Sequence, residues 1–301
     1  MIRGCFSVIV ALLLSFSIAR ATHHAPVVNQ LAGYAMVPLT KTQFNRLLVD
    51  VKINGADTTL ILDTGSPVSL LARNQAVHFG LQPVNVKGHS SIAINGHDVE
   101  LEKITKFQIG PIASSNLLIC VGDHLGARYD RGQLAGIHVT GLLGANFLIE
   151  HGAIIDIQRG ELFLKADPHA KDLFDSTLRT AGWTPVPFSI ENTKLVVPTK
   201  VDSLSVPLCV DSGSCYTLLS QTFCEHAGIK GSFLTFASGV IYKPDALEQT
   251  VKIDDLQVGS FDTGKQEISA SHSFDLVKGI DKKVTAQGLL GIDILGNNLA
   301  F

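Results

Sequence analysis

Apolar and polar positions along this chain change places in short runs rather than in long helical periods, a pattern that predicts strands. Leu47-Leu48-Val49-Asp50-Val51-Lys52-Ile53 alternates towards its end, Asn54-Gly55 signals a tight hairpin turn, and Thr58-Thr59-Leu60-Ile61-Leu62 returns. Leu195 to Val201 and Val206-Pro207-Leu208-Cys209-Val210 read as a second pair of strands. Helical patterning is confined to two short stretches, residues 72–79 and 221–227. A fully helical or doubly wound parallel fold needs more and longer helical periods than these. The pattern therefore predicts an all-β architecture.

The pattern also repeats. Gly33-Tyr34-Ala35-Met36-Val37-Pro38-Leu39 is echoed by Gly182-Trp183-Thr184-Pro185-Val186-Pro187-Phe188, 149 positions later. At an offset of 148, Leu62-Asp63-Thr64-Gly65-Ser66 returns as Val210-Asp211-Ser212-Gly213-Ser214, Leu70-Leu71 as Leu218-Leu219, and Gly80 as Gly228. Gly141-Leu142-Leu143-Gly144 recurs as Gly288-Leu289-Leu290-Gly291 at an offset of 147. A near-constant offset over so much of the chain marks two homologous halves, residues 34–166 and 182–301. The polar segment 167–181 reads as the linker between them, and residues 22–33 as a short N-terminal segment.

One apolar run breaks the strand pattern. Residues 5–19 are almost entirely apolar, and 15 residues is short for a bilayer span of about 20 but suited to a signal-peptide core. Ala19-Arg20-Ala21 supplies small residues before a cleavage point, so residues 1–21 are expected to be a signal peptide and the protein exported, to a periplasm or outside the cell. A retained signal anchor is the alternative. No later stretch is long and apolar enough to cross a membrane, so no stable insertion is expected after cleavage.

Composition narrows the function. The 301 residues are 46% hydrophobic and 17% charged with a net charge of −3. Loss of Arg3 and Arg20 with the signal segment leaves 22 basic against 27 acidic residues, a balance of −5. Such values argue against a disordered chain and against a nucleic-acid binder. Cys120, Cys209, Cys215 and Cys224 follow no common zinc spacing and could pair or pack as small apolar residues. The 11 histidines form no His-Glu-x-x-His motif, and neither Gly-x-Ser-x-Gly nor a phosphate-binding glycine loop occurs. No cofactor or metal is predicted.

What remains is the duplicated aspartate. An Asp-Ser/Thr-Gly turn at a strand end is an ordinary turn when it stands alone. Here it occurs twice, each time with a Leu-Leu-Gly segment about 80 residues later. Amide hydrolysis without a metal or nucleophilic side chain proceeds if one carboxylate takes a proton from water while a neighbouring carboxylic acid gives one to the carbonyl oxygen. Two carboxyls held together cannot both ionise cheaply, so they share a proton and divide the acid and base roles.

This pairing of landmarks resembles the aspartic proteases, and more closely their retropepsin-like branch, in tandem single-chain form, than the large pepsins. The resemblance spans nearly all of residues 22–301, once per half. It implies two homologous acid-protease-like β-barrel lobes with a cleft between them, and a catalytic pair formed by Asp63 and Asp211. It also implies that the Thr64 and Ser212 hydroxyls hydrogen-bond across the lobe interface, that Ser66 and Ser214 donate to the outer aspartate oxygens, and that Gly65 and Gly213 permit close approach. The implied function is an exported aspartic endopeptidase with an acidic optimum, a monomeric catalytic unit and a peptide substrate bound in extended form. Hairpin flaps are expected at residues 88–99 and 238–247, with Tyr242 in the second alone.

Three departures stand out. The second turn is Asp-Ser-Gly, Cys215 takes the place of Pro67, and the first half runs on past its Leu-Leu-Gly through residues 152–157 and 161–164 while the sequence of the second stops at Phe301. The competing reading is an inactive peptide-binding or adaptor protein on the same two-lobed fold.

Overall fold

Asn54 and Gly55 turn the chain with both residues at positive φ, 51° and 93°, the twist that a two-residue hairpin needs. They join strand Leu47–Ile53 to strand Ala56–Asp63 in antiparallel register, Leu48 opposite Ile61 and Ile53 opposite Ala56. The computed structural model describes residues 31–42, 45–84, 92–94, 97–122, 138–170, 178–180, 182–233, 249–272 and 284–296. The expected signal segment, the second flap and the turn of the first flap lie outside the described residues.

The first lobe is built on a nine-stranded sheet. Its order runs Thr40–Lys41, Leu47–Ile53, Ala56–Asp63, Val139–Gly144, Leu70–Ala72, Ile112–Gly122, His97–Ile109, Gln82–Pro83, with Ile92–Ile94 paired to His97–Ile109. A further pairing of Lys52 with Gln108 and Ile53 with Phe107 closes this sheet on itself as a barrel. Strands Tyr34–Pro38, Glu161–Lys165 and Ile154–Asp156 form a separate three-stranded sheet.

The second lobe repeats the plan with a break. Its eight-stranded sheet runs Ser189–Glu191, Lys194–Val197, Leu208–Val210, Gly288–Leu290, Leu218–Ser220, Gln266–Ser271, Gln249–Ile253, Gly231–Phe233. The single strand expected over residues 195–201 is split at Pro198, because proline has no N–H to give to a ladder. Thr199–Val201 passes instead into a four-stranded sheet with Leu256–Val258, Leu204–Ser205 and Phe261–Asp262. The two expected short helices lie at Arg73–His78 and Gln221–Ala227, each directly after a strand that follows an Asp-x-Gly-Ser turn, and two more that were not expected, Ala145–Glu150 and Ile292–Leu295, follow the two Leu-Leu-Gly segments.

Alternation along the paired strands separates two apolar faces. Leu47, Val49, Leu60, Leu62, Leu143 and Phe147 of the first lobe lie in the same buried cluster as Val197, Leu208, Val210, Leu290 and Ile292 of the second, so the main core is continuous through both. On the opposite sheet faces sit two smaller clusters at matching positions, Leu48, Ile61, Leu70 and Leu142 in one lobe and Val196, Cys209, Leu218 and Leu289 in the other. The fold is thus mostly β, and its two halves are built to similar plans. Among the described residues, Cys120, Cys209, Cys215 and Cys224 are buried and none is joined in a disulfide.

Candidate active site

Asp63 is the last residue of strand Ala56–Asp63, and Asp211 directly follows strand Leu208–Val210. Beside each runs its Leu-Leu-Gly strand, parallel to the aspartate strand and antiparallel to the one that follows it, with Gly144 opposite Asp63 and Leu290 opposite Val210. Side chains at Gly141 and Gly288 would strike the carbonyl oxygens of Leu70 and Leu218, so only glycine fits the crossing. A hydroxyl fastens each crossing. Ser69 Oγ accepts from the Gly144 N–H at 3.0 Å and donates to Asn146 at 3.1 Å. Thr217 Oγ1 accepts from the Gly291 N–H at 3.0 Å and donates to Asp293 at 2.7 Å.

The two aspartate turns meet face to face and exchange hydrogen bonds reciprocally. Thr64 Oγ1 accepts from the Ser212 N–H at 3.0 Å and donates to the Val210 carbonyl at 2.9 Å. Ser212 Oγ accepts from the Thr64 N–H at 3.0 Å and donates to the Leu62 carbonyl at 2.8 Å. Both hydroxyls are buried, so these four bonds satisfy groups that would otherwise be stranded away from water. Each glycine then packs on the aspartate of the other lobe: a Cβ at Gly65 would collide with the Asp211 carboxyl, and one at Gly213 with that of Asp63. The absence of those two side chains is what lets the carboxyls come together.

The serines behave differently from the expectation. The Ser66 hydroxyl donates to the Val68 carbonyl at 2.8 Å and that of Ser214 to the Tyr216 carbonyl at 2.7 Å. A hydroxyl has one proton, so neither donates to its aspartate. Backbone N–H groups do so instead, Ser66 to Asp63 at 3.0 Å and Gly213 to Asp211 at 2.8 Å.

Asp63 and Asp211 are each partly exposed residues. Burial raises Asp63 above the ordinary carboxylate range, against the opposing effects of the Arg46 charge, the N–H groups of Ser66 and Gly65, and a hydrogen bond from Asp211. Burial, and then the charge of Asp63, push Asp211 up to about 7, against Arg46, the Gly213 N–H and Lys194. Two neighbouring carboxyls both raised in this way are chemically able to divide acid and base roles between them. Arg46, 7% exposed, and Lys194 were not singled out by the sequence reading. Their signal is the same offset of 148 that relates Asp63 to Asp211.

A family model described as aspartyl protease matches residues 49–147, the stretch from the first hairpin through the first Leu-Leu-Gly strand. The family resemblance read from the sequence therefore stands: the first lobe carries the aspartyl-protease signature, and the whole is a two-lobed β fold. Among solved structures the chain is similar to a retropepsin-like aspartic protease from Rickettsia conorii (17% identity, TM-score 0.32, 44% of this chain and 90% of that one). It is also similar to an aspartic proteinase from Irpex lacteus (13%, 0.43, 87% and 92%) and to Basic 7S globulin from soybean (10%, 0.46, 89% and 92%). No match was found among curated proteins.

Proposed function

We propose that this chain is an exported aspartic endopeptidase whose catalytic pair is Asp63 and Asp211, one from each lobe. The observation that supports the reading most strongly is the reciprocal packing of each turn glycine on the opposite aspartate, locked by the Thr64–Ser212 exchange. An ordinary pair of surface turns has no need of it. Asp63 receives two backbone N–H groups and a hydrogen bond from Asp211, which favour its carboxylate, while Asp211 is the better holder of the shared proton.

In the reaction, water lies between the carboxyls. Asp63 takes a proton from the water as its oxygen attacks the peptide carbonyl carbon, and Asp211 gives its proton to the carbonyl oxygen. Collapse of the resulting gem-diol breaks the C–N bond as the nitrogen receives the proton held by Asp63, and the diol returns a proton to Asp211. The substrate is an extended peptide, the catalytic unit is a monomer, and export follows from the apolar run at residues 5–19.

The test is incubation of residues 22–301 with a mixed peptide library between about pH 3 and 7, beside Asp63→Asn and Asp211→Asn. Wild type should cleave, and each variant should lose about 10²-fold or more of the rate. Equal cleavage by all three, or none by folded wild type, rejects the endopeptidase and leaves a peptide-binding protein.

A further inference from the structure

Each lobe places a cation across its first hairpin from its own aspartate. In the first lobe Leu48 lies opposite Ile61; continuing that register by two residues brings Arg46 opposite Asp63. In the second lobe Val196 lies opposite Cys209, and the same step brings Lys194 opposite Asp211. Residues two apart on a strand share a face, and cross-strand partners share it too. The Thr59 hydroxyl donating to Asp50 at 2.7 Å marks this face in the first lobe, and the small clusters under Leu48 and Val196 continue it in both. Arg46 is held at the base of a turn, its N–H donating to Thr42 Oγ1 at 3.1 Å and its carbonyl accepting from the Thr42 N–H at 2.9 Å.

We propose that Arg46 and Lys194 are a pseudosymmetric pair of positioning residues that hold the shared negative charge of the Asp63–Asp211 pair, Arg46 acting on both aspartates and Lys194 on Asp211. The inference rests on the reading of these aspartates as the catalytic pair. The charge of Arg46 acts on both Asp63 and Asp211. The groups around Lys194 are Asp211, the buried thiol of Cys209, and Glu191, its partner across the hairpin. Glu191 is itself engaged, accepting from the Thr285 N–H at 2.6 Å and from the Thr285 and Ser189 hydroxyls at 2.8 and 2.9 Å. A nearby cation favours the ionised carboxylate, so its removal must move titration to higher pH.

The test reads the carboxyls of the full chain directly, by carbon-detected NMR titration, and so is independent of turnover. Arg46→Met should raise both titration steps of the pair, by about one pH unit, and Arg46→Lys should restore most of the difference. Lys194→Met should raise the upper step more than the lower. Lys200→Met, at an exposed position of the neighbouring strand, should move neither. In a peptide-cleavage profile both limbs should shift upward in Arg46→Met and chiefly the alkaline limb in Lys194→Met. A folded Arg46→Met protein with the wild-type titration overturns the proposal. Should Arg46→Met fail to fold, an unmoved upper step in Lys194→Met overturns it. Titrations that move as stated in a protein that cleaves no peptide uphold the charge-holding pair and reject the protease reading alone.

Discussion

Thr64 and Ser212 do the same work with different side chains: each hydroxyl accepts one N–H and donates to one carbonyl of the other lobe. Thr64→Val keeps the shape but strands the Ser212 N–H and the Val210 carbonyl, so urea denaturation should show a loss of about 1–3 kcal/mol for each orphaned group, while Thr64→Ser stays near wild type. The pH response follows from the proton that the carboxyl pair retains. Asp211 binds a proton more tightly in the folded state, up to about 7, than in an unfolded chain. Between about pH 4 and 7 the native protein therefore holds more protons than the unfolded one, and its stability should fall as pH rises through that window. Asp211→Asn should flatten this fall and raise Tm at pH 7.5 relative to wild type, even though the proposed mechanism has it abolish cleavage; thermal melts at pH 5 and 7.5 check both. The identity of the aspartates, glycines and hydroxyls could be read from a duplicated five-residue word. Which acceptor each hydroxyl serves could not, because only the folded turn brings the Val68 and Tyr216 carbonyls within reach of Ser66 and Ser214.

At the level of strands and turns, a hairpin residue does more than reverse the chain. Asn54 at φ 51° donates through Nδ2 to the Phe79 carbonyl at 2.9 Å, and its Oδ1 accepts from the Thr105 and Lys106 N–H groups at 3.0 Å each. Asp202 stands in the same place in the second lobe and accepts from the N–H groups of Asp254 and Asp255. Asn54→Ala removes these ties and leaves alanine at positive φ, and should cost about 2–4 kcal/mol in urea denaturation, with the aspartate turn otherwise intact. Strand identity was legible in both halves because alternation and the Asn-Gly turn are local signals. Sheet membership was not: the split at Pro198 sends the halves of one expected strand into two sheets, a consequence of a missing N–H whose effect depends on which neighbour would have received it. Arg46 and Lys194 escaped notice for a related reason, since a lone basic residue acquires meaning only when the register places it opposite an aspartate.

The molecule as a whole has one main core, with Leu62 and Phe147 of the first lobe in the same cluster as Leu208 and Ile292 of the second. Its lobes are therefore expected to unfold together. Trp183 is the sole tryptophan and leads the second half, so its fluorescence and far-UV circular dichroism should give coincident urea midpoints. The exchange between Thr64 and Ser212 has one more consequence. Neither turn can complete its hydrogen bonds without the other, yet both are tethered on one polypeptide. The tether acts as an effective concentration, and it accompanies the protein wherever it goes. Specific activity per molecule should accordingly stay constant on dilution to nanomolar levels, where an enzyme assembled from two separate copies of such a lobe would lose its site.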